Sequence, residues 1–390
     1  MNGGQAVEQQ EFYTIRELFD CNRRKRPERL LFAGSSVGAH GIFEPYLDLS
    51  GETCADFLCG PETSVPVTVR FSRMCGGHES ADTVRDLRGF SVRFHTEDGA
   101  FDLLSIHLPE FYLSSTRRFP ELVRAMLPDS QTGLRTAERF WTFFSDCPES
   151  LPCLLLLFTD RGTLKSYRTM EGYSIDAHVL TGGKKRTDTK IFFSWKPESG
   201  VRTIHRREAE CLAGFDPEAA RRDLVEAISE GKEPTWHLWM RGPCTEACCL
   251  GRMRLNRLPE QYEEEIEGLD FSPMHLVPGI LPGSERQKLM ALVCEDAQRY
   301  RLGGGNYKKT EYRSGADHQS AETGEGSSAA DGYVRAAAYY RGMSPAEQET
   351  LIGNLGEELL FLPEKLQFQL LKQFQKIDEV FAFRMKQQLC

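Results

Sequence analysis

Residues 80–107, "SADTVRDLRGFSVRFHTEDGAFDLLSIH", hold the pattern that decides the fold. Phe90, Val92 and Phe94 alternate with polar or basic residues, Asp98-Gly99 breaks the run, and a second apolar run starts at Phe101. A period of two broken by turn residues predicts a strand, a hairpin and another strand of an antiparallel sheet. Upstream, "VPVTVRFS" (65–72) has the same alternation. Downstream, "SLPCLLLLFTD" (150–160), "YSIDAHVL" (173–180) and "TKIFFSWKP" (189–197) read as further strands. Their sum is an antiparallel barrel or a strongly curved sheet.

Helical patterns interrupt and follow the strands. "ELVRAML" (121–127), "TAERFWTFFSD" (136–146) and "DPEAARRDLVEAISEG" (216–231) are amphipathic, the last opening on Asp216 as N-cap and closing on Gly231. Residues 303–333 are Gly/Ser-rich and polar, which predicts a long loop. After it come helices from Ser344 onward, with Glu347 placed to complete a capping box. The expected organisation is an N-terminal arm and distal segment (1–60), a barrel with helical insertions (61–270), a proximal helix and long loop (271–333), and C-terminal helices (334–390).

The chain of 390 residues is long enough for a large core, and its net charge of −9 with scattered Lys and Arg argues against a nucleic-acid partner. The opening residues lack the pattern of a secretory signal and no long apolar run occurs, so a soluble cytoplasmic protein without stable membrane insertion is expected. The twelve cysteines then read as reduced thiols. "CTEACC" (244–249) lacks the ligand spacing of a zinc site.

In order along the chain, "RPERLLFAG" (26–34), "GAHGIFE" (38–44), "VPVTVRFS", "SADTVRDLRGFSVRFHTEDGAFDLL", "RRFPELV" (117–123), "TDRGTLKSYRTMEGY" (159–173) and "RYRLGGGNY" (299–307) resemble the haem catalase family. The resemblance spans about residues 11–390 and implies an α+β fold: a catalase-type antiparallel β-barrel with buried haem b, helical insertions and a C-terminal helical region. It places Arg29, Arg70 and Arg301 on the haem propionates, where guanidinium forks suit buried carboxylates. It places Ser72, Phe111 and Phe119 beside the haem, and it implies a homo-oligomer. "KSYRTMEGYSIDAHVL" (165–180) departs from the family's nucleotide-binding version, so bound NADPH is not expected.

Both faces of the implied haem site differ from the family pattern. The distal histidine position falls on Phe32 and the distal asparagine position on Ile106, neither of which can move a proton. His107, next to Ile106, and His40 are the histidines that remain as candidates for the distal pocket. On the proximal side, alignment on "RYRLG" puts Met290 where the family has an arginine and Cys294 where it has the iron-ligating tyrosine. Spacing agrees: Cys294 and Arg301 are close to two helical turns apart, at about 3.6 residues per turn, with Met290 and Gln298 on the flanks. Cys294 is accordingly the expected axial ligand, as a thiolate.

Thiolate ligation favours O–O cleavage. With Leu31, Phe32, Ile106, Phe111 and Phe119 lining the distal side, the expectation is a haem-thiolate enzyme that is not a true catalase. It would use a peroxide, an organic hydroperoxide or O2, with an electron donor where O2 is the oxidant. It would oxidise, dehydrate or rearrange a small apolar substrate, in the manner of a peroxidase, a monooxygenase of secondary metabolism or a hydroperoxide isomerase. The alternative is a degenerate catalase that binds haem as a sensor or scaffold.

Overall fold

The computed structural model describes residues 36–61, 63–75, 80–113, 117–129, 131–242, 246–301 and 329–389, without the side chains of 285, 299–301 and 329. Ten strands are present among them: β1 Ser36–Pro45, β2 Val65–Arg73, β3 Arg88–Thr96, β4 Gly99–Ile106, β5 Gly172–Ser174, β6 His178–Leu180, β7 Thr189–Pro197, β8 Thr235–Arg241, β9 Cys248–Arg257 and β10 Ile280–Pro282. The sheet runs β10-β6-β7-β5-β4-β3-β2-β1-β9-β8, and β8 pairs back onto β7. Eight strands therefore close a ring, with β6 and β10 as an extension beside β7. All the pairings are antiparallel.

The hairpin forms as its alternation predicts, with Thr96 paired to Gly99. Its two turn residues are Glu97 and Asp98, one position earlier than Asp98-Gly99, and Gly99 takes a φ of 122° that favours glycine. Strand β1 lies in the ring, so the barrel begins before residue 61, inside the stretch expected to be an arm.

The helices are α1 Phe119–Met126, α2 Ala137–Asp146, α3 Leu151–Phe158, α4 Arg206–Phe215, α5 Ala219–Ser229, α6 Glu285–Arg301, α7 Ala329–Gly342, α8 Pro345–Leu359, α9 Glu364–Ile377 and α10 Glu379–Leu389. Helix α3 corrects the strand expected at "SLPCLLLLFTD". All eight of its residues are buried, and Pro152 sits in its first turn, where a missing N–H costs nothing. A short run that is apolar on every side carries no period to separate strand from helix. Asp216 is not the N-cap of α5, which starts after Glu218; Asp216 ends α4 and bonds Arg222 instead. Helix α4 was not foreseen. The Ser344–Glu347 capping box forms as expected. Of the expected loop, residues 303–328 lie outside the described residues, and α7 occupies its last part.

Two apolar cores result. One fills the barrel with inward side chains such as Val69, Phe71, Phe90, Val92, Phe94, Phe101, Trp195 and Trp236. Trp195 stacks on Phe90 and Phe94, with ring centroids 5.9 and 6.2 Å away. The other joins the helices to the outside of the sheet at β4. Because aromatic rings fill the barrel, a prosthetic group has to lie outside it.

Candidate functional site

Strand geometry decides which side chains reach the outer face. Val67, Val69 and Phe71 of β2 point inward, so Thr68, Arg70 and Ser72 point outward. Register then aligns Ser72 with Gly89 of β3 and Ile106 of β4, and Arg70 with Ser91 and Leu104. Ser72, Gly89 and Ser91 make a floor of small residues beside the apolar edge of β4.

Ile106 belongs to one buried cluster with Met74, Phe111, Phe119, Leu289, Met290 and Val293. The structure thus gathers four of the sequence-selected positions, Ile106, Phe111, Phe119 and Met290, against the outer face. Helix α6 contributes Leu289, Met290 and Val293 to that cluster. Met290, Val293, Ala297 and Gln298 on it are buried to 5% exposure or less, whereas Cys294 among them is only half-buried. Leu292 is the other half-buried residue of the stretch 290–298.

Arg70 is 4% exposed, and its Nε and Nη2 each donate over 3.2 Å to the two oxygens of Glu267. Ser36 Oγ and Tyr262 OH also donate to Glu267. Glu267 ends a single π-helical turn, Glu263–Glu267, that packs on β1 at Gly38, where a Cβ would come within 2.5 Å of Ile266. Glycine at 38 lets the turn lie flat and present Glu267 to the guanidinium. This partner was missed in the sequence because Glu267 sits in a run of acids that reads as a solvated face.

The two candidate histidines have partners elsewhere. His107 accepts the Arg88 N–H at Nδ1 and donates from Nε2 to the Arg161 carbonyl, both over 3.1 Å. Burial, with the Arg88 charge second, pushes its pKa well below the ordinary histidine value. It is a neutral imidazole pinned at both nitrogens, so neither nitrogen is open to serve a peroxide. His40 lies on β1, bonded to Glu265 and Thr68 over 2.8 and 3.0 Å. Arg29, Leu31 and Phe32 fall outside the described residues, as does the side chain of Arg301, although α6 reaches that position.

These residues fit a flat apolar ring system with acidic substituents. The floor is small, its surroundings are apolar, a buried guanidinium lies at one edge with Nη1 outside its pair, and a half-buried sulfur lies on a helix that joins the same apolar cluster. Met290 places no charge beside that sulfur. Among the described residues no cluster of three or more His, Cys, Asp or Glu could hold a bare metal ion, and no helix is long and apolar enough to cross a membrane.

Comparison with known proteins agrees with that fit. The family model described as Catalase matches residues 2–242 and 243–344. Catalase HPII of Mycobacterium avium is 34% identical over 326 residues, covering 76% of this chain and 46% of its own length. Catalase-A of Dictyostelium discoideum is 35% identical over 321 residues, 75% of this chain and 64% of its own. This chain thus spans about half to two thirds of those relatives. Among solved structures, a fungal catalase and catalase A from Saccharomyces cerevisiae each superpose with a TM-score of 0.82 at 24% identity over 97% of this chain, and over 90% and 93% of theirs. They share the fold. The relatives' names overturn the expected function: proteins 32–35% identical to this chain are catalases, which points away from a non-catalase enzyme of apolar substrates and from a mere sensor.

Proposed function

The chain belongs to the haem catalase family, and on that premise we propose that it decomposes hydrogen peroxide with haem held between the outer face of β2–β4 and helix α6, iron being bound by Cys294. One observation carries the reading: Cys294 lies half-buried on the helix whose Leu289, Met290 and Val293 belong to the same apolar cluster as Ile106, Phe111 and Phe119. Bound haem would supply the redox chemistry of peroxide breakdown.

The protein's own residues then have separable tasks. Arg70 holds a propionate through Nη1 while Glu267 keeps its other donors aligned. Arg29 and Arg301 clamp propionates from the positions that the sequence motifs give them. Ser72 and Ser91 leave room for the ring. Ile106, Phe111, Phe119 and Phe32 keep bulk water from the distal side. Met290 leaves the sulfur's negative charge undrained, and Gln298 lies on its other flank.

A distal acid–base group contributes about 10²- to 10⁴-fold to a proton-transfer step. Phe32 and Ile106 cannot supply one, and His107 has both nitrogens on the backbone. Turnover should accordingly be slow, with the substrate and water moving the proton. In an oxygen electrode, haem-loaded protein should release oxygen from hydrogen peroxide in the dismutation ratio. Phe32→His should raise the rate by about 10²-fold. Peroxide consumption with no oxygen release, in both proteins, would refute the assignment.

A further inference from the structure

One position beyond Arg70 on the outward face of β2, Thr68 lies in an open pocket of about 520 Å³, a size typical of small-molecule sites. Ile42, Pro66 and Leu269 give it an apolar wall, and His40, His95 and Glu265 line its polar end. The polar groups form a chain: Glu265 Oε2 to His40 Nε2 at 2.8 Å, His40 Nδ1 to Thr68 Oγ1 at 3.0 Å, and Thr68 Oγ1 to His95 Nε2 at 2.9 Å.

The carboxylate fixes the direction of every proton in that chain. Glu265 takes N–H bonds from Glu260 and Gln261 on its other oxygen and can only accept, so His40 Nε2 must donate. Burial lowers the pKa of both histidines, with help from Arg257 at His40 and Arg93 at His95, which keeps them neutral. A neutral His40 has a bare lone pair at Nδ1, and Thr68 spends its one proton there. Thr68 must then accept from His95 Nε2. His95 is left with a lone pair at Nδ1 that has no partner among the described residues, on an exposed ring at the pocket's rim.

We propose that this pocket binds a small neutral molecule with an apolar body and one hydroxyl, a phenol in class, whose O–H donates to His95 Nδ1. A carboxylate or phosphate offers no donor, and Glu265 would repel it. Arg257, the cation on the pocket wall, already faces Glu265 at 3.6 Å. The flat apolar wall across β1 and β2 suits a ring. Neither haem nor Cys294 enters this inference, so it stands or falls apart from the catalase reading.

Calorimetric titration of the full chain with phenol and with anisole, which has the same ring but no donor, tests it. Phenol should bind one to one and about tenfold tighter than anisole, the difference one hydrogen bond makes. His95→Phe should abolish the preference for phenol while anisole still binds, which shows that the pocket and the fold persist. Thr68→Val frees His95 to take the other tautomer and should shrink the preference without abolishing anisole binding. Equal binding of phenol and anisole, no saturable phenol binding, or a preference that survives in His95→Phe would overturn the proposal.

Discussion

Arg70 carries a full charge in a setting almost closed to water, and Glu267 makes that tolerable. Removing one member of such a buried pair strands the other, at a cost of about 3–5 kcal/mol. The pair is 197 positions apart in sequence, so the arginine was legible from its motif and its partner was not. His178 shows a second residue-scale effect. It is 3% exposed, with Nδ1 unpartnered among the described residues, and burial lowers its pKa from 6.5 to about 4. Since the folded state refuses a proton that the unfolded chain accepts, His178 contributes stability above pH 6.5 that is lost as pH falls toward about 4, up to about 3 kcal/mol. Urea unfolding at pH 7 and pH 5 should therefore show a loss in the native protein that is smaller in His178→Gln. Equal losses would remove His178 from the acid response. His107, next to the distal position in sequence, is held by the Arg88 N–H and the Arg161 carbonyl, and no sequence pattern records which carbonyl a buried imidazole meets.

At the scale of elements, legibility followed periodicity. The β3–β4 hairpin and the capped start of α8 were readable because alternation and capping chemistry are local. Helix α3 was misread because its apolar run has no period, and α4 was overlooked because only Ala209 of its ten residues is buried. The π-helical turn Glu263–Glu267 left no local trace, yet it bonds Arg70 through Glu267 and His40 through Glu265, and it closes over Ser36. Gly38 is its seat. In Gly38→Ala the new Cβ would lie 2.5 Å from Ile266 and 2.8 Å from the carbonyl oxygen of Val69, which is backbone and cannot swing aside. The variant should lose about 1–3 kcal/mol in urea unfolding and release haem faster than the native protein. Unchanged values for both would mean that the turn does not brace Arg70.

For the whole molecule, a barrel packed with aromatic rings leaves its outer face for chemistry, and the helices close over that face at β4. The family and the barrel were legible from ordered motifs. The expected departure from catalase activity does not hold: Phe32, Ile106 and Cys294 are three positions in a chain that matches catalases over three quarters of its length. What those substitutions alter is the means of holding iron and moving protons, and sulfur on α6 is the decisive point. The ferrous carbonyl spectrum of the haem-loaded protein, recorded for native and Cys294→Ser forms, tests it most directly. The account predicts the red-shifted Soret band of thiolate ligation in the native protein and its loss in the variant; a native spectrum without that band, or one unchanged by Cys294→Ser, would contradict it.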